Sequence, residues 1–120
     1  MPLTSTVAAP RPAVGVYRIR GGDGRIVYIG QGLIAARLAA HDRSATFANS
    51  PQGVVLGSAR PLTCSWVANA NWPDHQRLEL ENDLVAACVL ATGTPPSAQF
   101  YRLGTGRERV GQPRSENNTL

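Results

Sequence analysis

Residues 14–30 read VGVYRIRGGDGRIVYIG, and this stretch decides the fold. Its first seven residues are rich in β-branched and aromatic side chains and end in a period-two alternation, which is typical of a β-strand. Asp23-Gly24, with glycines before it, can supply the positive φ angles that a tight hairpin turn needs. Residues 25–29 are again β-branched or aromatic and predict the return strand. The stretch therefore predicts an antiparallel β-hairpin.

The chain after the hairpin predicts two helices and a third strand. Residues 33–43 are rich in Ala, Leu and Arg, which favour a helix. Residues 44–61 carry Ser, Asn, Pro and Gly and predict a loop with a short apolar piece at residues 54–56. Residues 62–68 predict a strand, and residues 74–91 a second helix with Asp74 as its N-cap. A short last strand is expected at residues 98–103.

This order of elements predicts one small α+β domain. We expect a mainly antiparallel, three-stranded sheet that contains the N-terminal hairpin and is flanked by helices. A chain of 120 residues has room for one modest core. The domain should span residues 14–103, after a flexible arm at residues 1–13 and before a disordered, basic tail at residues 104–120.

Charge and composition narrow the classes of partner. The net charge is +4, and all twelve basic residues are arginine. Guanidinium groups bind phosphate bidentately, so the charge is compatible with a nucleic-acid partner. No apolar run approaches the ~20 residues that cross a membrane, so no membrane association is expected. The start of the chain lacks the pattern of a secretory signal, which favours a cytoplasmic location.

The two cysteines, Cys64 and Cys88, argue against a zinc site. They have no Cys-x-x-Cys spacing and no nearby histidine in the sequence. Their apolar surroundings favour buried free thiols, and a disulfide between them stays open as an alternative.

Taken one at a time, the polar and aromatic residues at the ends of these elements do not predict a function. Tyr17 and Tyr28 on the hairpin strands are typical packing residues. Arg37 and His41 are four residues apart, so they share one face of the first helix, which alone indicates a solvated face. Glu81 should stand on the second helix at the edge of a buried apolar stripe.

As a set, these residues resemble the GIY-YIG nucleases. Gly15-Val16-Tyr17 is followed after ten residues by Tyr28-Ile29-Gly30, which resembles the pair of tripeptides that defines the family. Arg37 and His41 then match its arginine and the polar residue one turn later. The stretch that begins Glu81-Asn82 resembles the metal-binding glutamate segment. The resemblance runs from about residue 14 to residue 100 and implies the same α+β fold.

The resemblance also implies an activity, namely a metal-dependent endonuclease that hydrolyses phosphodiester bonds in nucleic acid, with DNA favoured over RNA. It implies that Glu81 binds Mg²⁺ or Mn²⁺, which one carboxylate plus waters can hold. Arg37 would stabilise charge on the scissile phosphate. Tyr17, with His41, would help to deprotonate the attacking water, and Tyr28 would position the water or the phosphate.

Four further residues are expected at the substrate, and two departures from the family pattern bear on them. Gly15 and Gly30 would allow close backbone approach, beside Gln31 and Gln99. Compared with the excision-repair incision nucleases, the spacing from Tyr28 to Arg37 is one residue shorter. The asparagine that those proteins carry three residues after a proline is also absent. Counting from Pro95 reaches Ala98, and counting from Pro96 reaches Gln99, whose amide could supply the missing hydrogen bonds.

Two other functions stay open. The chain could be a catalytically weakened nucleic-acid-binding module, or a small basic interaction domain. The sequence contains no zinc finger or second domain that would read bases. The protein would therefore select its substrate in one of two ways. It would recognise the structure or the ends of the nucleic acid, or it would depend on a partner protein that supplies specificity.

Overall fold

The hairpin forms as predicted in the computed structural model of the chain, which describes residues 1–3 and 13–100. Strand β1 (Val14–Arg20) runs antiparallel to β2 (Ile26–Leu33). Gly24 has φ +86°, a backbone conformation that favours glycine. The Arg25 amide donates to Asp23 Oδ1 at 2.9 Å and closes the turn. The Asp-Gly signal in the sequence thus identified the turn correctly.

A third strand completes the sheet. β3 (Thr63–Ala68) pairs with the other edge of β1, so the order is β2-β1-β3 and both pairings are antiparallel. Gly15 lies opposite Ala68, and a Cβ built on Gly15 would lie 2.0 Å from the Val67 carbonyl oxygen. Only glycine lets the two backbones approach this closely at that position. The predicted α+β fold with a three-stranded antiparallel sheet is confirmed.

Helices cover both faces of the sheet. On one face, α1 (Ile34–Phe47) and α2 (Pro51–Ser58) complete the hydrophobic core with the inward side chains of the strands. On the other face, α3 (Asp74–Thr92) lies across a groove from strand side chains that point away from this core, such as Val16 and Val67. The largest core side chains that are almost fully buried are Leu3, Ile19, Tyr28, Ile34, Leu38 and Leu56.

Helix α2 corrects the prediction of a loop over residues 44–61. Ser50 is its N-cap, with Oγ accepting from the Gly53 amide at 3.0 Å, and Pro51 occupies the first turn. The serine and proline that indicated a loop are here the start of a helix. Further on, Pro73 is the N-cap of α3 and Asp74 is its first residue, not its cap.

The two ends of the chain also differ from expectation. Residues 97–100 form a turn instead of the start of a strand, and residues 101–103 and the predicted tail lie outside the described residues. Pro2 bridges to Thr63 of β3, and Leu3 is 1% exposed in the core. The prediction of a free arm is therefore wrong for residues 1–3, while residues 4–12 lie outside the description.

Both cysteines are free thiols, with Cys64 buried and Cys88 half-buried. Burial raises the pKa of the Cys64 thiol, and the nearby N-terminal ammonium opposes part of that rise. Within residues 1–3 and 13–100, no helix has both the length and the apolar character needed to span a bilayer.

Replacing Gly15 with alanine should destabilise the sheet by about 1–3 kcal/mol, because β1 and β3 must separate to admit the new methyl group. Urea unfolding followed by circular dichroism measures this change. Gly24→Asn is the control, since a Cβ there meets nothing within 4 Å and asparagine tolerates a positive φ. An unfolding midpoint of Gly15→Ala equal to that of the unmodified protein would contradict the proposed contact.

Candidate functional site

Three of the candidate residues form one buried cluster, which we call the aromatic cluster: Tyr17 of β1, Tyr28 of β2 and His41 of α1. The Tyr17 hydroxyl and His41 Nε2 are 2.8 Å apart and share a hydrogen bond. The ring centroids of Tyr28 and His41 are 4.4 Å apart, and those of the two tyrosines are 6.2 Å apart. Three residues that are distant in the sequence therefore lie in contact between the hairpin and α1.

Gly30 is what allows the Tyr17 hydroxyl to reach His41. Gly30 lies directly opposite Tyr17 in the β1–β2 register. A Cβ on Gly30 would lie 2.3 Å from the Tyr17 hydroxyl oxygen, so the phenol crosses the bare glycine backbone. The close approach at Gly30 involves a side chain of the protein itself, and the expected contact of Gly30 with substrate stays a prediction.

Arg37 lies over the next glycine of the same strand. Its Nε is 3.2 Å from where a Cβ on Gly32 would stand, and Gly32 has φ +126°, which favours glycine. Arg37 is exposed to solvent and shares a face of α1 with His41, one turn away. A solvent-facing guanidinium therefore stands beside the aromatic cluster, where it can meet an anion.

Glu81 is the most buried position of α3. Of the nineteen residues of that helix, all of them described, Glu81 is the one classed as buried, with 6% of its surface exposed. The leucines at positions 78, 84 and 90 are 48%, 39% and 88% exposed. Leu80 and Val85 beside it are half-buried, so Glu81 lies at the centre of the buried face of α3 and not at the edge of an apolar stripe as predicted.

A hydrogen bond ties α3 to the same end of β2. Arg77, one turn before Glu81, donates from Nε to Gln31 Oε1 at 3.1 Å. Gly30, Gln31 and Gly32 are thus contacted in turn by Tyr17, Arg77 and Arg37, and we call residues 30–32 the β2 end. Because α1 and α3 cover opposite faces of the sheet, they reach the β2 end from its two sides.

Gln99 pairs with the outer edge of β2. Its side-chain oxygen accepts from the Ile29 amide at 2.8 Å, and its Nε2 donates to the Ile29 carbonyl at 2.7 Å. Next to it, the Ala98 amide donates to the Val27 carbonyl at 2.9 Å. Gln99 is 3% exposed. It pairs with both the amide and the carbonyl of Ile29, which on an edge strand have no partner strand on their outer side. The expected contacts of Gln99 and Gln31 with substrate stay predictions. Gly15, also expected at the substrate, packs against β3.

The overall arrangement matches a known nuclease domain in fold. No protein-family profile and no curated protein matches the chain at the sequence level. Two solved structures do match: two point mutants of the GIY-YIG N-terminal endonuclease domain of UvrC from Thermotoga maritima, each bound to its catalytic divalent cation. Both have a TM-score of 0.51, with 19% and 18% sequence identity, and the match covers 80% of this chain and 92% of that domain. The chain has a GIY-YIG-like fold.

The carboxylate of this GIY-YIG-like fold fits a hard divalent cation better than a softer metal. Within the described part of the chain, no three His, Cys, Asp or Glu side chains group into a metal cluster. Glu81 offers carboxylate oxygens, which Mg²⁺ accepts singly while it keeps several waters and a phosphate oxygen as its other ligands. His41 already shares Nε2 with Tyr17. The Glu81 carboxylate could therefore hold such a cation.

Replacing Gln99 with leucine should destabilise the GIY-YIG-like domain by roughly 2–4 kcal/mol, because each buried backbone group left without a partner costs about 1–3 kcal/mol. Both the amide and the carbonyl of Ile29 would lose their partner. Chemical unfolding measures the loss. Gln76→Leu, at an exposed position of α3, is the matched control. Equal unfolding midpoints for the two variants would show that Gln99 does not hold β2.

Proposed function

We propose that the protein is a metal-dependent endonuclease that hydrolyses phosphodiester bonds in nucleic acid, with DNA as the favoured substrate. The β2 end carries this proposal. Three consecutive residues of one strand contact groups from three elements. These groups are a tyrosine that is hydrogen-bonded to a histidine, an exposed arginine, and the helix that carries a buried glutamate. This combination offers a proton acceptor, a phosphate ligand and a cation ligand, the groups that phosphodiester hydrolysis needs.

Tyr17 and His41 are proposed to remove the proton from the attacking water. A tyrosine with an ordinary pKa near 10 is a weak base at neutral pH. The 2.8 Å hydrogen bond to His41 Nε2 offers a path for the phenolic proton when that nitrogen is the acceptor. The tyrosine oxygen can then take the proton of the water while its own proton passes to His41. Tyr28, packed against the imidazole ring, fixes its orientation.

Arg37 is proposed to bind the scissile phosphate. Its guanidinium is exposed beside the β2 end and can grip two phosphate oxygens at once. Charge accumulates on those oxygens in the transition state, so a fixed cation stabilises the transition state more than the ground state. The bare backbone of Gly32 lets the Arg37 side chain lie close against β2.

Glu81 is proposed to hold the divalent cation, Mg²⁺ or Mn²⁺. When bound, such a cation would neutralise charge on the phosphate and assist the departing oxygen. The cation bound by the UvrC domain supports this assignment for a chain of the same fold. A partner protein that supplies specificity also remains part of the proposal, since the described domain contains no separate base-reading module.

One observation favours the alternative of a nucleic-acid-binding module that has lost most of its activity. Tyr17 and Glu81 are only 3% and 6% exposed, and both already contact other groups. Substrate must displace these contacts before either residue can act. Binding would then persist through the exposed arginines while cleavage is slow or absent.

The purified protein should nick supercoiled plasmid and cut single-stranded DNA when Mg²⁺ or Mn²⁺ is supplied. Glu81→Gln and Arg37→Ala should each lower the single-turnover cleavage rate by about 100-fold or more, because each removes a charge that acts in the transition state. Quantified gel assays measure these rates. The controls are Asp83→Asn on α3 and Arg43→Ala on α1, both at exposed positions, and both should cleave at the unmodified rate.

The outcomes separate the three functions. Salt-sensitive binding of DNA or RNA without cutting would overturn the nuclease proposal in favour of the binding module. Absence of any salt-sensitive binding would favour the interaction domain. Cutting that Glu81→Gln leaves unchanged would contradict the metal-binding role of Glu81.

A further inference from the structure

Arg77 is an arginine whose side chain is nearly buried and whose nitrogens reach three parts of the fold. The side chain is 12% exposed. Nε donates to Gln31 Oε1 of β2 at 3.1 Å, and Nη1 donates to the Trp72 carbonyl at 2.9 Å. Nη2 bonds to Asp74 Oδ1 in the first turn of α3. The guanidinium therefore joins the helix, the loop before it and the sheet.

The position of this arginine is electrostatically unfavourable in other respects. Arg77 is the fourth residue of α3, near the positive end of the helix dipole, where cations are disfavoured. Burial of its charge adds a desolvation cost. The Asp74 side chain is 89% exposed, so that ion pair contributes little in water. Of the three contacts, only the hydrogen bond to Gln31 joins α3 to the sheet.

Several apolar side chains of α3 face solvent or a groove and not a close-packed core. Leu78, Val89 and Leu90 are 48%, 38% and 88% exposed. A groove of about 560 Å³ separates the middle of the helix from the sheet, between Leu84 and Cys88 on one side and Val16 and Val67 on the other. Burial of apolar surface is the usual source of helix docking energy, and the apolar side chains of α3 are at most half-buried. A polar bridge at the start of the helix therefore has a large share in fixing its position.

Arg77, which forms this polar bridge with Gln31, is four residues before Glu81 on α3. Side chains at this spacing lie on the same face of a helix, about one turn from each other. Fixing Arg77 against Gln31 therefore fixes both the rotation of α3 and the height of Glu81 along the sheet. We propose that Arg77 is a positioning residue whose hydrogen bond to Gln31 holds Glu81 in the orientation that binds a divalent cation. The cation part of this inference rests on the proposed function.

Two measurements on Arg77→Met test the proposal, since methionine keeps much of the side-chain bulk and removes the hydrogen bonds. Hydrogen exchange of backbone amides should show at least about tenfold lower protection around Glu81, with the β1–β2 amides unchanged. Mn²⁺ affinity, measured by electron paramagnetic resonance of the free ion, should fall about 10–100-fold, as when an outer partner of a metal ligand is lost.

Three further variants sharpen the test. Gln31→Met removes only the hydrogen bond to Arg77, so it should lower the protection around Glu81 and the Mn²⁺ affinity in the same direction as Arg77→Met. The double variant should add little to Arg77→Met, because that substitution already removes the shared bond. Arg77→Lys should restore part of the protection and part of the affinity, since an ammonium can still reach one partner. Gln76→Met, at the exposed neighbouring position of α3, should change neither.

The failures of the two proposals are distinguishable. Glu81→Gln sets the baseline for Mn²⁺ binding, and an unmodified protein that binds no better than this variant would contradict the metal role in the proposed function. The exchange measurement still tests the hydrogen bond in that case. Unchanged amide protection around Glu81 in Arg77→Met would overturn the positioning role. A uniform loss of protection across the sheet would overturn it as well. So would Mn²⁺ binding that depends on Glu81 and keeps its full affinity in Arg77→Met.

Discussion

Close approach of side chains to the bare backbone of β2 is the constraint on which the candidate site depends. The Tyr17 phenol crosses Gly30, and the Arg37 side chain lies over Gly32. Any larger residue at Gly30 would separate the phenol from His41, and Gly32 also needs its positive φ. Between the two glycines, Gln31 extends to the other helix layer. Three consecutive residues thus assemble groups from β1, α1 and α3.

β2 is an edge strand, so one side of its backbone lacks sheet partners. Here Gln99 replaces the missing strand over Ile29 with a paired donor and acceptor. The strand is therefore fixed just before the point at which the side chains meet. On the far side of the sheet, Arg77 ties the start of α3 to Gln31 of β2, and we propose that this hydrogen bond sets the position of Glu81.

The sequence predicts the parts of the fold that local chemistry determines. The Asp23-Gly24 turn, the two hairpin strands and the two predicted helices rest on local signals, and each was confirmed. Helix α2 was missed because its proline and glycines outweighed the Ser50 cap. The bridge from Arg77 to Gln31 spans 46 residues, so no local pattern indicates it. The burial of Glu81 was missed because the leucines around it are the residues expected to face inward.

The proposed nuclease activity requires that one divalent cation binds Glu81 near the β2 end. Anomalous diffraction from crystals soaked in Mn²⁺ tests this requirement. The proposal predicts a single strong peak about 2.1 Å from a Glu81 carboxylate oxygen, on the side of α3 that faces the β2 end. A peak bound elsewhere, with none beside Glu81 in a well-ordered crystal, would contradict it.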